Sequence, residues 1–168
     1  MTIAVQLEPP DGAAAAVEYR WDTDTDILTA RIEAAHRRSG DSGFVELEGA
    51  DGSWLILDVA HGRLSGIEVA VWPDVHKSPS LVPPQKVEDA HILIPLSDEP
   101  GHATLDAVMP LGAEADDAER VIYFRMGVRR EARTIRLGRD LLLDLDPAGR
   151  IAGLWLLNVP PFPITTPP

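Results

Sequence analysis

Hydrophobic and polar positions alternate in short runs along much of this chain. Leu55, Leu57 and Val59 take every second place in "LILDVA", and Leu141, Leu143 and Leu145 do the same in "LLLDLD". A period of two marks a strand that buries one face. Each run leads into a turn and a return strand. "DPAG" at 146–149 sets Pro147 second and Gly149 fourth, the order of a type I turn, and "VAHG" at 59–62 sets Gly62 at the same place. The return strands "RLSGIEVAVWP" and "RIAGLWLLNVP" align Gly66 with Gly153 and Pro73 with Pro160. Each Pro ends its strand because it lacks the N–H that a ladder needs. The second version carries one extra residue between its Asp and its Gly, which a bulge or a longer turn must absorb.

The likeness extends backwards. "DILTARI" (26–32) aligns without a gap on "RVIYFRM" (120–126). Alone, the first piece also reads as a helix over 27–38, with Asp26 as cap, Ile27, Leu28, Arg31, Ile32 and Ala35 at helical spacing, and Gly40 as stop. The β-formers of Val-Ile-Tyr-Phe favour a strand in both copies. "IAVQL" (3–7) resembles "ILIPL" (92–96), "AVEYRW" is set beside "ATLDAVM", and "GFVELEG" and "ARTIRLG" feed the Leu55 and Leu141 strands. The pattern predicts an all-β chain, or a β-dominated α+β one. It holds two tandem meander repeats packed as a pseudo-twofold sandwich or barrel-like body. Repeat one spans 1–73, a Pro-rich linker 74–90, repeat two 91–160 and an extended, mobile tail 161–168. A unit of about 60 residues buries little surface alone, and fusing two makes their pairing intramolecular.

"WDTDTDILTARI" together with "LDLDPAGRIAGL" and "ILDVAHGRLSGIE" resembles the "YDxxxDxLYIxL…DxDxxGxxxGIE" pattern of a small bacterial family, catalogued as domain of unknown function twenty-two eighty-three. The resemblance covers residues 21–72 and 116–160. It implies a small, mainly β unit present twice. The copies depart from the pattern: Arg120 stands for the acid at Asp26, Trp155 for Glu68, and Trp21 and Ala115 for the tyrosine. The family has no settled activity, so the resemblance implies a fold and no mechanism.

Composition narrows the function classes. A net charge of −12 argues against a nucleic-acid binder and against an anionic-membrane binder. The absence of cysteine removes disulfides, thiolate nucleophiles and Cys-ligated zinc. "MTIAVQLEPPDG" lacks a basic start and an apolar run, so a cytoplasmic, soluble chain is expected, as monomer or homodimer.

Candidate chemistry is sparse. Asp22, Asp24, Asp26 and Glu33 have the ligand spacing of a calcium loop, but Ile27 stands where the sharp turn needs Gly, so the stretch reads as a hairpin turn and no metal site is expected. His36, His61, His76, His91 and His102 lie in no ligand pair, and no G-x-S-x-G or phosphate loop exists, so no cofactor is expected. Asp144 and Asp146 read as turn-solvating acids before an acid/base pair.

Between Arg120 and Arg139 lie seven arginines and one acid, in a chain with only 15 Lys and Arg. The matching strands of copy one carry Asp22, Asp24, Asp26, Glu33, Glu46 and Glu48. Arg125, Arg133 and Arg136 are therefore candidates either for docking on those acids, the preferred reading, or for an anion groove, since Arg binds carboxylate and phosphate bidentately. Trp54 and Trp155 are expected in the core, while Trp21 and Trp72 flank strand ends and are candidates to edge a pocket. The expectation is a non-enzymatic binding module for an unknown protein. The alternative is a small anionic or apolar ligand site, with or without catalysis, at a Trp- and Arg-lined seam.

Overall fold

The computed structural model describes residues 3–33, 42–96 and 103–163, with 103–107 by backbone alone. Its described residues form strands and turns and no helix, arranged as two sheets. None has a helix long and apolar enough to cross a membrane. The first sheet holds β1 (Gln6–Glu8), β2 (Val17–Asp22), β3 (Ile27–Ile32), β4 (Gly43–Glu48), β5 (Trp54–Ala60), β6 (Arg63–Val71), β9 (His91–Leu93) and β10 (Ala103–Val108). The second holds β7 (Val75–Lys77), β8 (Val87–Asp89), β11 (Leu111–Ala115), β12 (Ile122–Met126), β13 (Arg133–Gly138), β14 (Leu141–Leu145) and β15 (Ile151–Leu156). Residues 27–32 are thus strand; 34–41, on which the rest of the helix alternative falls, lie outside the described residues.

Both halves arrange their strands alike. The first runs β2-β3-β6-β5-β4 and the second β11-β12-β15-β14-β13. In each, the last three strands form a meander and the opening hairpin adds beyond the last of them. Registers coincide as well. Leu28 pairs with Val69 and Ala30 with Ile67, as Ile122 pairs with Leu156 and Phe124 with Leu154. Asp58 pairs with Gly66 as Asp144 pairs with Gly153, and a bulge follows each Asp. β10 lies parallel on β4 as β8 lies parallel on β13. By this order the counterpart of β2 is β11, and not the 103–108 stretch set beside it from sequence.

The two hairpins differ where the extra residue falls. His61 and Gly62 both have positive φ, the two-residue turn that matches strand twist. The longer loop closes with Gly149 N donating to the Asp146 carbonyl (2.9 Å), and Gly149 at φ 76°. That i to i+3 bond is the one a type I turn makes.

The inner faces bury Leu28, Leu55, Leu57, Ile67 and Val69 against Phe124, Ile135, Leu141, Leu143 and Leu154, one continuous core. Edge strands interlock the halves. β7 and β8, from the Pro-rich 74–90 stretch, flank the second sheet, while β9 and β10, from the 91–160 stretch, join the first. Near the N-terminus Val5 N and Ile3 O bond Gly149 O and Ile151 N, both at 2.9 Å.

β7 and β8 run in the same direction at opposite edges of the seven-stranded sheet. Residues 78–86 therefore cross a face of that sheet, and the inner face is filled by the core. This strap opens with a turn, Leu81 N donating to the Ser78 carbonyl (3.0 Å), and its remaining residues pass over the outer face. Leu81, Pro83 and Pro84 are half-buried in it. Beneath, Leu142, Ala152 and Trp155 are buried although they belong to no part of the inter-sheet core.

Candidate functional site

The outer faces are where the halves part company. Register places Thr29, Arg31, Phe44, Glu46, Ile56, Asp58 and Glu68 of the first sheet where Tyr123, Arg125, Thr134, Arg136, Leu142, Asp144 and Trp155 stand in the second.

On the second sheet the centre of this face is closed over Thr134, Leu142, Asp144 and Trp155, while a cavity of about 280 Å³ opens beside Tyr123 and Arg125. The Asp144 carboxylate accepts from Thr134 Oγ1 (2.7 Å) and Trp155 Nε1 (3.2 Å), with the Tyr123 hydroxyl as a further hydrogen-bond partner. Burial raises the Asp144 pKa, and these donors oppose the rise. Tyr123 packs on Trp155 with ring centroids 4.5 Å apart. Its phenol is pushed up to about 12 by burial and by the Asp144 charge. The ring lies over Gly153, the position at which a side chain has no room. Asp144 and Asp146, considered together from sequence, live apart. Asp146 sits in the turn, where burial works to raise its pKa but is outweighed by the Arg150 N–H, Arg130 and the Ala148 N–H, so its pKa is lowered.

On the first sheet the same face is open. Phe44 is 46% exposed, Trp54 37% and Val108, beside Glu48, 65%; Trp54 is thus not the core residue expected, because it lies on the outer side of β5. Across the β4–β5 pair each apolar residue faces a carboxylate, Phe44 with Asp58, Ile56 with Glu46 and Trp54 with Glu48; Glu68 lies beside Ile56 on β6, and Arg31 next to Asp58. Burial raises the Asp58 pKa against the pull of Arg31, and burial followed by the Asp58 charge raises that of Glu68. With Thr29 in place of Tyr123 and Glu68 in place of Trp155, no ring covers Gly66.

The candidate arginines find local partners. Arg133 pairs with Glu88 (3.4 Å) and Arg136 with Asp89 (3.6 Å), both acids of β8. Arg125 donates to the Gly127 carbonyl (3.2 Å) and lays its guanidinium over Gly112. Docking on the acids of copy one is not what these pairs do: Glu46 lies on the outer face of the other sheet, and β8 supplies the acids instead. Sequence reasoning passed over Arg130, the best-held arginine of the stretch. It donates to Asp146 (2.8 Å) and to the carbonyls of Met126, Val128 and Ile151 (2.9, 2.9 and 2.8 Å). No spacing rule singles it out from its six neighbours.

Trp21 and Trp72 come together, stacked at 5.7 Å, but against the core: Trp72 meets Phe124 and Trp21 meets Phe162 of the tail. Trp21 Nε1 donates to the Pro160 carbonyl and Trp72 Nε1 to the Asp26 carbonyl, each at 2.8 Å. They fasten the C-terminal stretch. Residues 164–168 lie outside the described residues.

A cavity of about 130 Å³ opens at the seam of the sheets, lined by residues 10–15 and by Leu64, Ala90, Leu137, Arg63, Arg136, His61 and His91. Arg63 engages Glu8 and, at 3.7 Å, Asp11, while its buried Nε has no hydrogen-bond partner. His91 sits 2.7 Å from Asp11, and this bond leads the interactions that lower the Asp11 pKa. No group of acids and histidines able to hold a metal ion occurs among the described residues. The Asp22–Asp26 stretch is a hairpin turn between β2 and β3, with Asp24 N bonded to the Asp22 carboxylate (2.9 Å).

No protein-family model matches the chain, and no curated protein matches it significantly.

Proposed function

We propose that this chain is a tandem duplication whose first copy serves as a non-enzymatic protein-interaction module, through the outer face of the first sheet. One observation carries the reading. Two five-strand sets of the same order and register differ in that, among the described residues, one buries the centre of its outer face and the other leaves Phe44 and Trp54 exposed and Ile56 half-buried among carboxylates. Exposed apolar side chains that are contiguous and rimmed by charge mark binding surfaces. The test is a photo-crosslinking residue placed at Phe44, and as control at Val128, which is exposed on the other half. Discrete adducts in the cells that make the protein are expected from position 44 and not from 128. Adducts from neither, or equally from both, refute the reading.

The seam cavity favours a second reading, a small-molecule site, because the unpaired Nε of Arg63 calls for an acceptor. It ranks lower: the cavity is small, and Glu8, Asp11 and Asp89 already occupy the guanidinium groups of Arg63 and Arg136.

A further inference from the structure

We infer that the outer face of the first sheet receives an extended, cationic, proline-bearing segment of a partner protein, laid across β4, β5 and β6 as residues 78–86 are laid across the second sheet. The inference rests on the interaction reading above and adds the chemistry of the partner.

The chain itself shows what kind of segment such a sheet face takes. The strap with its two ends reads "KSPSLVPPQK": three prolines, Leu81 and Val82, no acid, and a lysine at either end. Those are the only two lysines of the chain. A segment lying on side chains has no ladder to pair with, so its backbone donors need water or must be few. Proline removes the donor and holds the chain extended at no further ordering cost. The same logic applies to the first sheet, in which five strands share the order and register of five in the second.

The side chains of that face then choose the partner's. Phe44, Trp54 and Ile56 offer apolar and aromatic surface for proline rings and aliphatic side chains. Glu46, Glu48, Asp58 and Glu68 alternate with them across the strand pairs, with Arg31 beside Asp58. The register equivalents of Glu46 and Glu68 on the covered sheet are Arg136 and Trp155. Complementary charge speeds encounter and rejects wrong partners, so Lys or Arg flanking the apolar part is the fit. The half-buried Asp58 and Glu68, whose pKa values burial pushes up, are the carboxylates that a cation relieves most. An anionic membrane or a nucleic acid meets the same carboxylates as repulsion.

The probe is the synthetic peptide KSPSLVPPQK, with ESPSLVPPQE as its charge-inverted control, titrated into the full ¹⁵N-labelled chain. The expected result is a saturable perturbation of β4, β5 and β6 by the first peptide, weakened by salt, and at least tenfold weaker for the second. The Asp58→Asn/Glu68→Gln double variant, nearly isosteric and checked for fold by its thermal melt, should lose at least fivefold in affinity. Phe44→Ser should abolish the perturbation. Equal binding of both peptides, or perturbation elsewhere on the chain, overturns the inference and leaves the interaction reading standing if position 44 still cross-links. Silence from both peptides at millimolar concentration overturns it too, and absence of adducts at 44 then removes the broader reading. A concentration-dependent dimer abolished by Phe44→Ser, or binding to anionic vesicles through this face, assigns the surface to another occupant and equally overturns it.

Discussion

Gly153→Ala and Gly66→Ala are the same substitution at register-equivalent positions, and they should differ in cost. A Cβ at 153 falls 2.5 Å from the Tyr123 hydroxyl oxygen and 2.6 and 2.7 Å from ring carbons. The ring cannot swing aside freely, because Trp155 packs on it at 4.5 Å and the Tyr123 hydroxyl is held by the Asp144 carboxylate. Overpacking of this kind costs about 1–3 kcal/mol, against a gain of about 0.5–1 kcal/mol for replacing a strand glycine. The net loss is about 0–2.5 kcal/mol, or up to roughly 10 °C in Tm for a chain of this size. At 66 the nearest atoms are the Ala30 carbonyl oxygen at 3.0 Å and a half-buried Asp58 carboxylate at 3.2 Å that can rotate away, so the change should fall within about 0.5 kcal/mol of zero. Differential scanning calorimetry of both variants reads the contrast. Tyr123→Thr, which installs the residue found at the equivalent Thr29, should cost less in the Gly153→Ala background than alone. Equal Tm values for the two glycine variants, or strict additivity with Tyr123→Thr, would refute the claim that Gly153 exists to seat that ring.

Three further outcomes are expected. Arg130→Ala should destabilise by about 2–4 kcal/mol, because three carbonyls and the Asp146 carboxylate lose their donor; Arg130→Lys should restore little of it, having no fork, and urea melts read both. Asp144 has its folded pKa raised, so the folded state holds that proton more tightly. Its stabilising contribution is complete below the unfolded pKa and lost as pH rises through the folded one; the stability of wild type relative to Asp144→Asn should therefore grow as pH falls from 7 towards 4, and a flat difference would contradict it. Residues 1–73 expressed alone should give the circular dichroism of an unfolded chain, since they lack β9, β10 and the facing core of the second sheet.

Much of the strand pattern was legible because it is local. The Leu55 and Leu141 alternations, the two hairpins, the aligned Gly66 and Gly153 and the extra residue before Gly149 all follow from spacing and turn chemistry, and each sits where the pattern put it. What lay hidden is non-local. Nothing in "ILTARI" says that β3 pairs with β6 before β4, since an alternating strand accepts any neighbour that buries the same face. β7 and β8 are three residues each, too short to show a period, so the strap between them read as a linker. The acids that hold Arg133 and Arg136 belong to that same unpatterned stretch. Of the open face, the charge contrast between Glu46 and Arg136 was visible in sequence; that it falls on an outer surface was not.

On the proposed duplication, the two classes of position have changed to different extents. Inward pairs stay apolar: Leu28 and Ile122, Val45 and Ile135, Leu57 and Leu143, Ile67 and Leu154 are aliphatic in both, and Ala30 against Phe124 changes volume but not polarity, because a buried core penalises an unpaired polar group. Outward, Arg31 and Arg125 and also Ile56 and Leu142 keep their character, while four pairs have exchanged chemistry: Thr29 for Tyr123, Phe44 for Thr134, Glu46 for Arg136 and Glu68 for Trp155. Asp58 and Asp144 are kept, yet one carboxylate is ringed by donors under a strap and the other stands half-buried beside Arg31. A surface facing only water is free to drift towards any polar residue, but it gains nothing from keeping Phe44 and Trp54 exposed, since the pair adds aggregation risk. Their exposure on the face that none of the described residues covers is what an occupant from outside would require.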